Sequence, residues 1–244
     1  MPPSIEIYII IFFVALLQSV FGVGVLLVGT PIMFLAGYPY FEALSFTLPT
    51  SLIISVSQAV KYYKHINVYI LKKAILFTIP IIPVGMFFAD YLGSLVGIIM
   101  GVFLFLTSFK FAVQAILPSK ASDKRLSLVF FFMGLIHGTT SLGGGILPSV
   151  VNQKCDPKEQ KLATTAAIYI VFQITQIAFI LINKYPINLS KSSVCVLIGF
   201  IAYAIIGKRL FQAIKSEGYA KYLRTFIRMV AVILVTMKIY NLRK

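Results

Sequence analysis

The sequence predicts an all-α polytopic membrane protein made of two homologous halves, each a Gly-broken re-entrant helical hairpin followed by three transmembrane helices. Three observations predict it. Of 244 residues, 59% are hydrophobic and only 12% are charged, with a mean hydropathy of +0.94, far more apolar than a soluble domain of this size requires. The apolar residues fall into a ladder of continuous runs, without the alternation of a barrel strand. Two of those runs are too short to span a bilayer, and each follows a glycine break.

The runs lie at 5–21, 25–37, 43–60, 71–92, 94–117, 126–141, 145–152, 162–182, 188–207 and 222–240. A spanning helix needs roughly 20 residues, so 25–37 and 145–152 cannot cross alone. The first run follows an acid-containing start with no basic n-region or small-residue cleavage site, and reads as a mature membrane segment rather than a signal peptide. The first short run follows Gly22-Val23-Gly24 and the second follows Gly143-Gly144-Gly145, giving the same order twice. Setting Gly24 on Gly143 places Gln18 on His137, and a two-residue slip then brings Pro31 onto Pro148. Downstream, Leu48-Pro49-Thr50-Ser51 faces Ala163-Thr164-Thr165-Ala166, and Gln58 faces Gln173. Several polar coincidences in register argue for an internal duplication. The domains are therefore 1–117 and 126–244, joined by the polar linker 118–125.

The net charge of +15 does not imply nucleic acid. Lys and Arg sit in short loops between apolar runs, which is the positive-inside pattern. If each broken segment dips in and returns, Lys61, Lys64, Lys72 and Lys73, then Lys120, Lys124 and Arg125, then Lys154, Lys158 and Lys161, then Lys208, Arg209, Lys215, Lys221 and Arg224 all fall inside. Six spans with inverted repeats follow; eight full crossings with parallel repeats give a weaker charge bias and stay open.

Polar residues within the apolar runs indicate what is bound. All seven carboxylates lie at segment ends or in loops, so no buried acid is available as a proton relay or sodium ligand. No metal-binding spacing, catalytic triad or phosphate loop is present, and Cys155 and Cys195 form no disulfide framework. An enzyme and a cofactor are not expected. Gln18, Ser19, Thr30, Thr50, Ser51 and Gln58 in the first half, and His137, Thr139, Thr140, Ser141, Thr164, Thr165, Gln173 and Gln176 in the second, offer neutral donors. Gly22, Gly24, Gly143, Gly144 and Gly145 offer backbone N–H groups where a half-helix restarts. Donors without negative charge favour a small anion as substrate. For the isolated Ser and Thr residues, bonding back to the helix's own carbonyls is an equal alternative.

These features resemble the sulfite exporter TauE/SafE (TSUP) family: two halves, a Gly-rich break followed by a proline in each, and the small-polar patches Leu48-Pro49-Thr50-Ser51 and Leu162-Ala163-Thr164-Thr165. Gly143-Gly144-Gly145-Ile146-Leu147-Pro148 is the closer match, whereas Gly22-Val23-Gly24-Val25 has lost the glycine run. The resemblance implies a transporter of sulfite, sulfonates or sulfoacetate-like anions in the plasma membrane. Export fits a site without carboxylates, since each negative charge gains roughly 2.3 kcal/mol per 100 mV on leaving a cell that is negative inside. An anion channel and a non-transporting assembly subunit are the alternatives, and homo-oligomerisation is left open.

Overall fold

The computed structural model describes residues 5–108, 122–214 and Thr225. Among these residues all regular structure is helical. Helix α1 (Ile5–Phe21) leads through a π-helical turn (Val25–Gly29) into α2 (Thr30–Leu35). Then come α3 (Tyr40–Lys61), α4 (Val68–Thr78), α5 (Ile82–Leu92) and α6 (Val96–Ser108). Beyond the linker lie α7 (Asp123–Thr140), a 3₁₀ turn (Gly143–Gly145), α8 (Leu147–Lys154) and α9 (Lys158–Ile182). Last are α10 (Leu189–Ile201), a second π segment (Ala202–Gly207) and α11 (Lys208–Ala213). Residues 118–121 of the 118–125 linker and all of the 222–240 run except Thr225 lie outside the described residues; the linker ends where Ser122 caps α7, its Oγ accepting from the Arg125 N–H.

Three stretches are long and apolar enough to cross a membrane: α3, α9 and the 25 residues from Leu189 to Ala213. The run at 71–92 is a fourth, bent by 47° between α4 and α5. Pro80 and Pro83 explain the bend, since proline contributes no N–H and its ring crowds the preceding turn. The surface carries Ile5, Ile9 and Phe13 on one stripe of α1, and Phe87, Phe88 and Tyr91 on α5, all exposed. Gln18, Gln58, Gln173 and Gln176, with Thr50, Ser51 and Ser55, meanwhile sit at 0% exposure. That inside-out distribution is what a hydrocarbon solvent selects.

Helices α3 and α9 pack against each other at the centre, with α10 beside α3. Pro49 inside α3 cannot donate to the Ser45 carbonyl, and Ser192 of α10 donates to it instead, at 2.7 Å. Helix α7 packs on α4 and α5. At the α5 crossing a β-carbon on Gly138 would collide with the Ile82 carbonyl, and one on Gly85 would lie 2.5 Å from the Leu135 carbonyl. Small residues allow that approach.

One end of the bundle gathers charge. Lys73 pairs with Asp123 at 2.6 Å, and Lys158 donates to the Ile214 carbonyl at 2.6 Å. The other end gathers aromatic rings: Phe41 stacks on Tyr185 at 3.9 Å. There burial and the Asp90 carboxylate push the Tyr185 phenol up to about 12, so it stays a neutral interface anchor.

Candidate functional site

Both breaks begin with a helix that ends in a left-handed residue. Gly22 (φ 72°) follows α1 and Ser141 (φ 61°) caps α7. The Gly22 N–H donates to the Gln18 carbonyl at 2.8 Å, and the Ser141 N–H to the His137 carbonyl at 2.7 Å. Each of those carbonyls also accepts from a buried glutamine on a central helix. Gln58 of α3 donates to Gln18 O at 3.0 Å, and Gln176 of α9 donates to His137 O at 3.3 Å.

The first break is closed by its own glutamine. Gln18 Oε1 accepts from the Val25 N–H at 3.1 Å and from the Ser51 hydroxyl at 2.8 Å. Its Nε2 donates to Ser51 O at 2.9 Å and to Ser55 Oγ at 3.1 Å. The carboxamide is thus fully used, and so is the N–H that restarts the chain after Gly24. A β-carbon at Gly24 would lie 2.5 Å from the Gln18 N atom, so close approach of backbone to backbone demands glycine there.

The second break is different. The glycines form a 3₁₀ turn, with the Gly145 N–H donating to Leu142 O at 2.8 Å. The φ > 0 position is Ser141 rather than a glycine, so sterics above the turn require the glycines. The His137 side chain lies over Gly143, where a β-carbon would come within 2.8 Å of it. The Tyr169 hydroxyl of α9 lies over Gly144 and leaves no room for any β-carbon. Imidazole and phenol rings meet edge to face at 5.9 Å, and Phe172 flanks His137 at 4.6 Å.

Buried side-chain atoms without a hydrogen-bond partner fall mostly in the second half of the chain. Among the described residues they are Tyr169 Oη, both His137 ring nitrogens, and the Oε1 or Oδ1 atoms of Gln58, Gln173, Gln176 and Asn152. All but Gln58 lie after the linker. The Gln176 amide does stand beside the imidazole, but no hydrogen-bonding geometry joins it to either ring nitrogen. A native interior leaves few buried polar atoms unpaired, because each costs about 1–3 kcal/mol.

The residues expected from sequence divide accordingly. Gln18, Ser51, Gln58 and Gln173 form one connected network, with Gln173 donating to Ser51 Oγ at 2.5 Å. His137, Ser141, Gly143 and Gly144 line the second break, with Gly145 completing its turn. Gly22 and Thr165 touch each other: the threonine methyl is 3.0 Å from where a β-carbon on the glycine would stand. The other hydroxyls bond to backbone. Ser19 donates to Ala15 O at 2.6 Å and packs on Gly207. Thr50 donates to Phe46 O at 2.8 Å with its methyl on Gly199. Thr139 and Thr140 donate to Leu135 O at 2.8 Å and Ile136 O at 2.6 Å, and Thr140 Oγ1 also accepts from the Leu142 N–H at 3.2 Å within the second break. Thr164 accepts from the Asn67 N–H at 3.0 Å, in the charged end of the bundle. Apart from that of Thr164 and the second one of Thr140, these are the bonds that isolated hydroxyls in apolar helices make to their own helix.

Sequence reasoning missed Tyr169, Ser55 and Tyr40 as polar members of this centre. Tyr40 contacts Ser141 Oγ at 2.9 Å. The available signal was spacing: Ser51, Ser55 and Gln58 on α3, like Tyr169, Gln173 and Gln176 on α9, stand at i, i+4 and i+7 on one helical face.

The family model described as sulfite exporter TauE/SafE matches residues 7–238 of this 244-residue chain. The chain belongs to that family. TauE/SafE proteins are membrane transporters of sulfur-containing anions and not enzymes. No curated protein and no solved structure matches the chain significantly. For a TauE/SafE chain, a buried centre of neutral donors, with no buried acidic side chain among the described residues, is chemically apt.

Proposed function

We propose that this chain exports small sulfur-containing or organic anions, such as sulfite, sulfonates or sulfoacetate-like compounds, across the plasma membrane. The anion binds at the second break, among His137, Tyr169 and Gly143–Gly145. One observation carries this reading. The first break consumes its donors internally through Gln18, whereas the second keeps Tyr169 Oη and the His137 nitrogens unpartnered at 0% exposure.

The two breaks are the equivalent points of two inverted repeats. Gly22 and Ser141 share a left-handed conformation and the same backbone bond, and Pro31 and Pro148 both stand in the first turn of the short helix that follows. The two-residue slip between the halves has a physical source. The first break winds as a five-residue π turn and the second as a three-residue 3₁₀ turn, and these close i→i+5 and i→i+3 rings respectively. By the carbonyl that each one caps, Gln58 of the first half has its functional counterpart in Gln176 of the second. The lysine-rich end of the bundle is the cytoplasmic one.

The test is efflux of labelled sulfite from proteoliposomes. The expected result is saturable flux, accelerated by an inside-negative potential, lost in His137→Ala and retained in Thr50→Val. Equal flux in both variants contradicts the site, and unsaturable ohmic current identifies a channel instead.

A further inference from the structure

Resting on that site, we propose that the second break selects a singly charged oxyanion that also carries a hydrogen-bond donor, a hydrogensulfite-like species rather than a sulfite or sulfate dianion.

The hydrogen-bond inventory leads there because the amide orientations are fixed by their partners. The Val25 N–H can only donate, so the Gln18 atom facing it is Oε1. Ser51 must then donate its one hydroxyl proton to that oxygen. Having spent it, Ser51 can only accept from Gln173, which fixes Nε2 toward Ser51 and leaves Gln173 Oε1 unpartnered. Gln176 donates to the His137 carbonyl, so its free atom is likewise Oε1.

Tyr169, Gln173 and Gln176 share one face of α9, with His137 against it. That face therefore offers donors, the Tyr169 hydroxyl and one imidazole N–H, together with amide acceptors. A fully deprotonated oxyanion satisfies the donors but turns its lone pairs against the amide oxygens. A ligand with an O–H or N–H satisfies both sets. Charge points the same way. Among the described residues no buried polar side chain is Lys or Arg, so what these residues set against the ligand's charge is neutral dipoles. The cost of moving an ion into low dielectric grows with the square of its charge.

Three sulfur oxyanions of similar shape separate the terms. Sulfamate is a monoanion with N–H donors, methanesulfonate a monoanion with a methyl group in their place, and sulfate a dianion without a donor. Calorimetric titration of the purified full-length protein near neutral pH is expected to give sulfamate about tenfold tighter than methanesulfonate, with sulfate weakest. In Gln173→Leu the ratio of sulfamate to methanesulfonate affinity should fall severalfold. A general loss of structure lowers both together. Sulfate or methanesulfonate binding as tightly as sulfamate to the wild type overturns the proposal and leaves the site itself standing. Binding of none of the three overturns the site, and this selectivity with it.

Discussion

Tyr169 and Gly144 are in direct contact: the phenolic oxygen of α9 rests on the α-carbon of the middle glycine of the second break. The contact explains why a side chain cannot be accommodated there, and it fixes the sign of a substitution. Helix propensity favours Ala over Gly by about 1 kcal/mol. Overpacking against Tyr169 costs about 1–3 kcal/mol and displaces the hydroxyl. Gly144→Ala is therefore expected to melt lower than wild type and to lose anion-dependent stabilisation in a thermal-shift titration. A variant that melts higher and still responds to its anion contradicts the site.

The two glutamines that meet on Ser51 should behave differently. Gln18→Leu strands the Val25 N–H and the Ser51 hydroxyl in a dry interior, at about 1–3 kcal/mol for each group. Gln173→Leu removes donation to Ser51 and Ser55 but also an unpartnered oxygen. Denaturant unfolding in detergent is expected to show a much larger loss for Gln18→Leu. Equal losses contradict the view that the first break is a structural closure.

Pro49 and Ser192 are coupled through one carbonyl. Ser192→Ala is expected to cost about 1 kcal/mol, because Ser45 O loses its donor. In a Pro49→Ala background the helix supplies the missing N–H, and the same substitution should cost less. A double-mutant cycle measures this, and strict additivity contradicts the coupling.

Topology is checked by single cysteines at His65 and Asn183, in a background with Cys155 and Cys195 replaced. His65 lies in the turn after α3, and Asn183 ends α9 beside the aromatic end of the bundle. Impermeant reagents are expected to reach Asn183 from outside and His65 only after permeabilisation. Labelling of both from one side contradicts inverted repeats.

Much of this was legible in the sequence. Hydropathy located the runs now seen as α3 and α9, and the glycine breaks at 22–24 and 143–145 stand where α1 and α7 end. The bend inside 71–92 was not anticipated, although Pro80 and Pro83 were in view, because hydropathy is blind to lost N–H donors. The candidate site was harder. Residue type alone could not tell Thr50, which bonds back to its own helix, from Ser51, which bridges two glutamines one residue later. Helical phase decides that, and phase is set by which helices pack at the centre. Tyr169 was passed over because a tyrosine in an apolar run reads as core, and only its unpartnered hydroxyl over Gly144 distinguishes it.

The most direct measurement is the sulfite affinity and melting temperature of Tyr169→Phe beside the wild type. Removing only an unpaired buried hydroxyl should leave the melting temperature unchanged or raised. If that hydroxyl donates to the anion, affinity falls roughly tenfold to a hundredfold, since a hydrogen bond to a charged group is worth about 1.5–3 kcal/mol. Unchanged affinity, or a fall in affinity matched by a fall in stability, contradicts the placement of the anion at the second break.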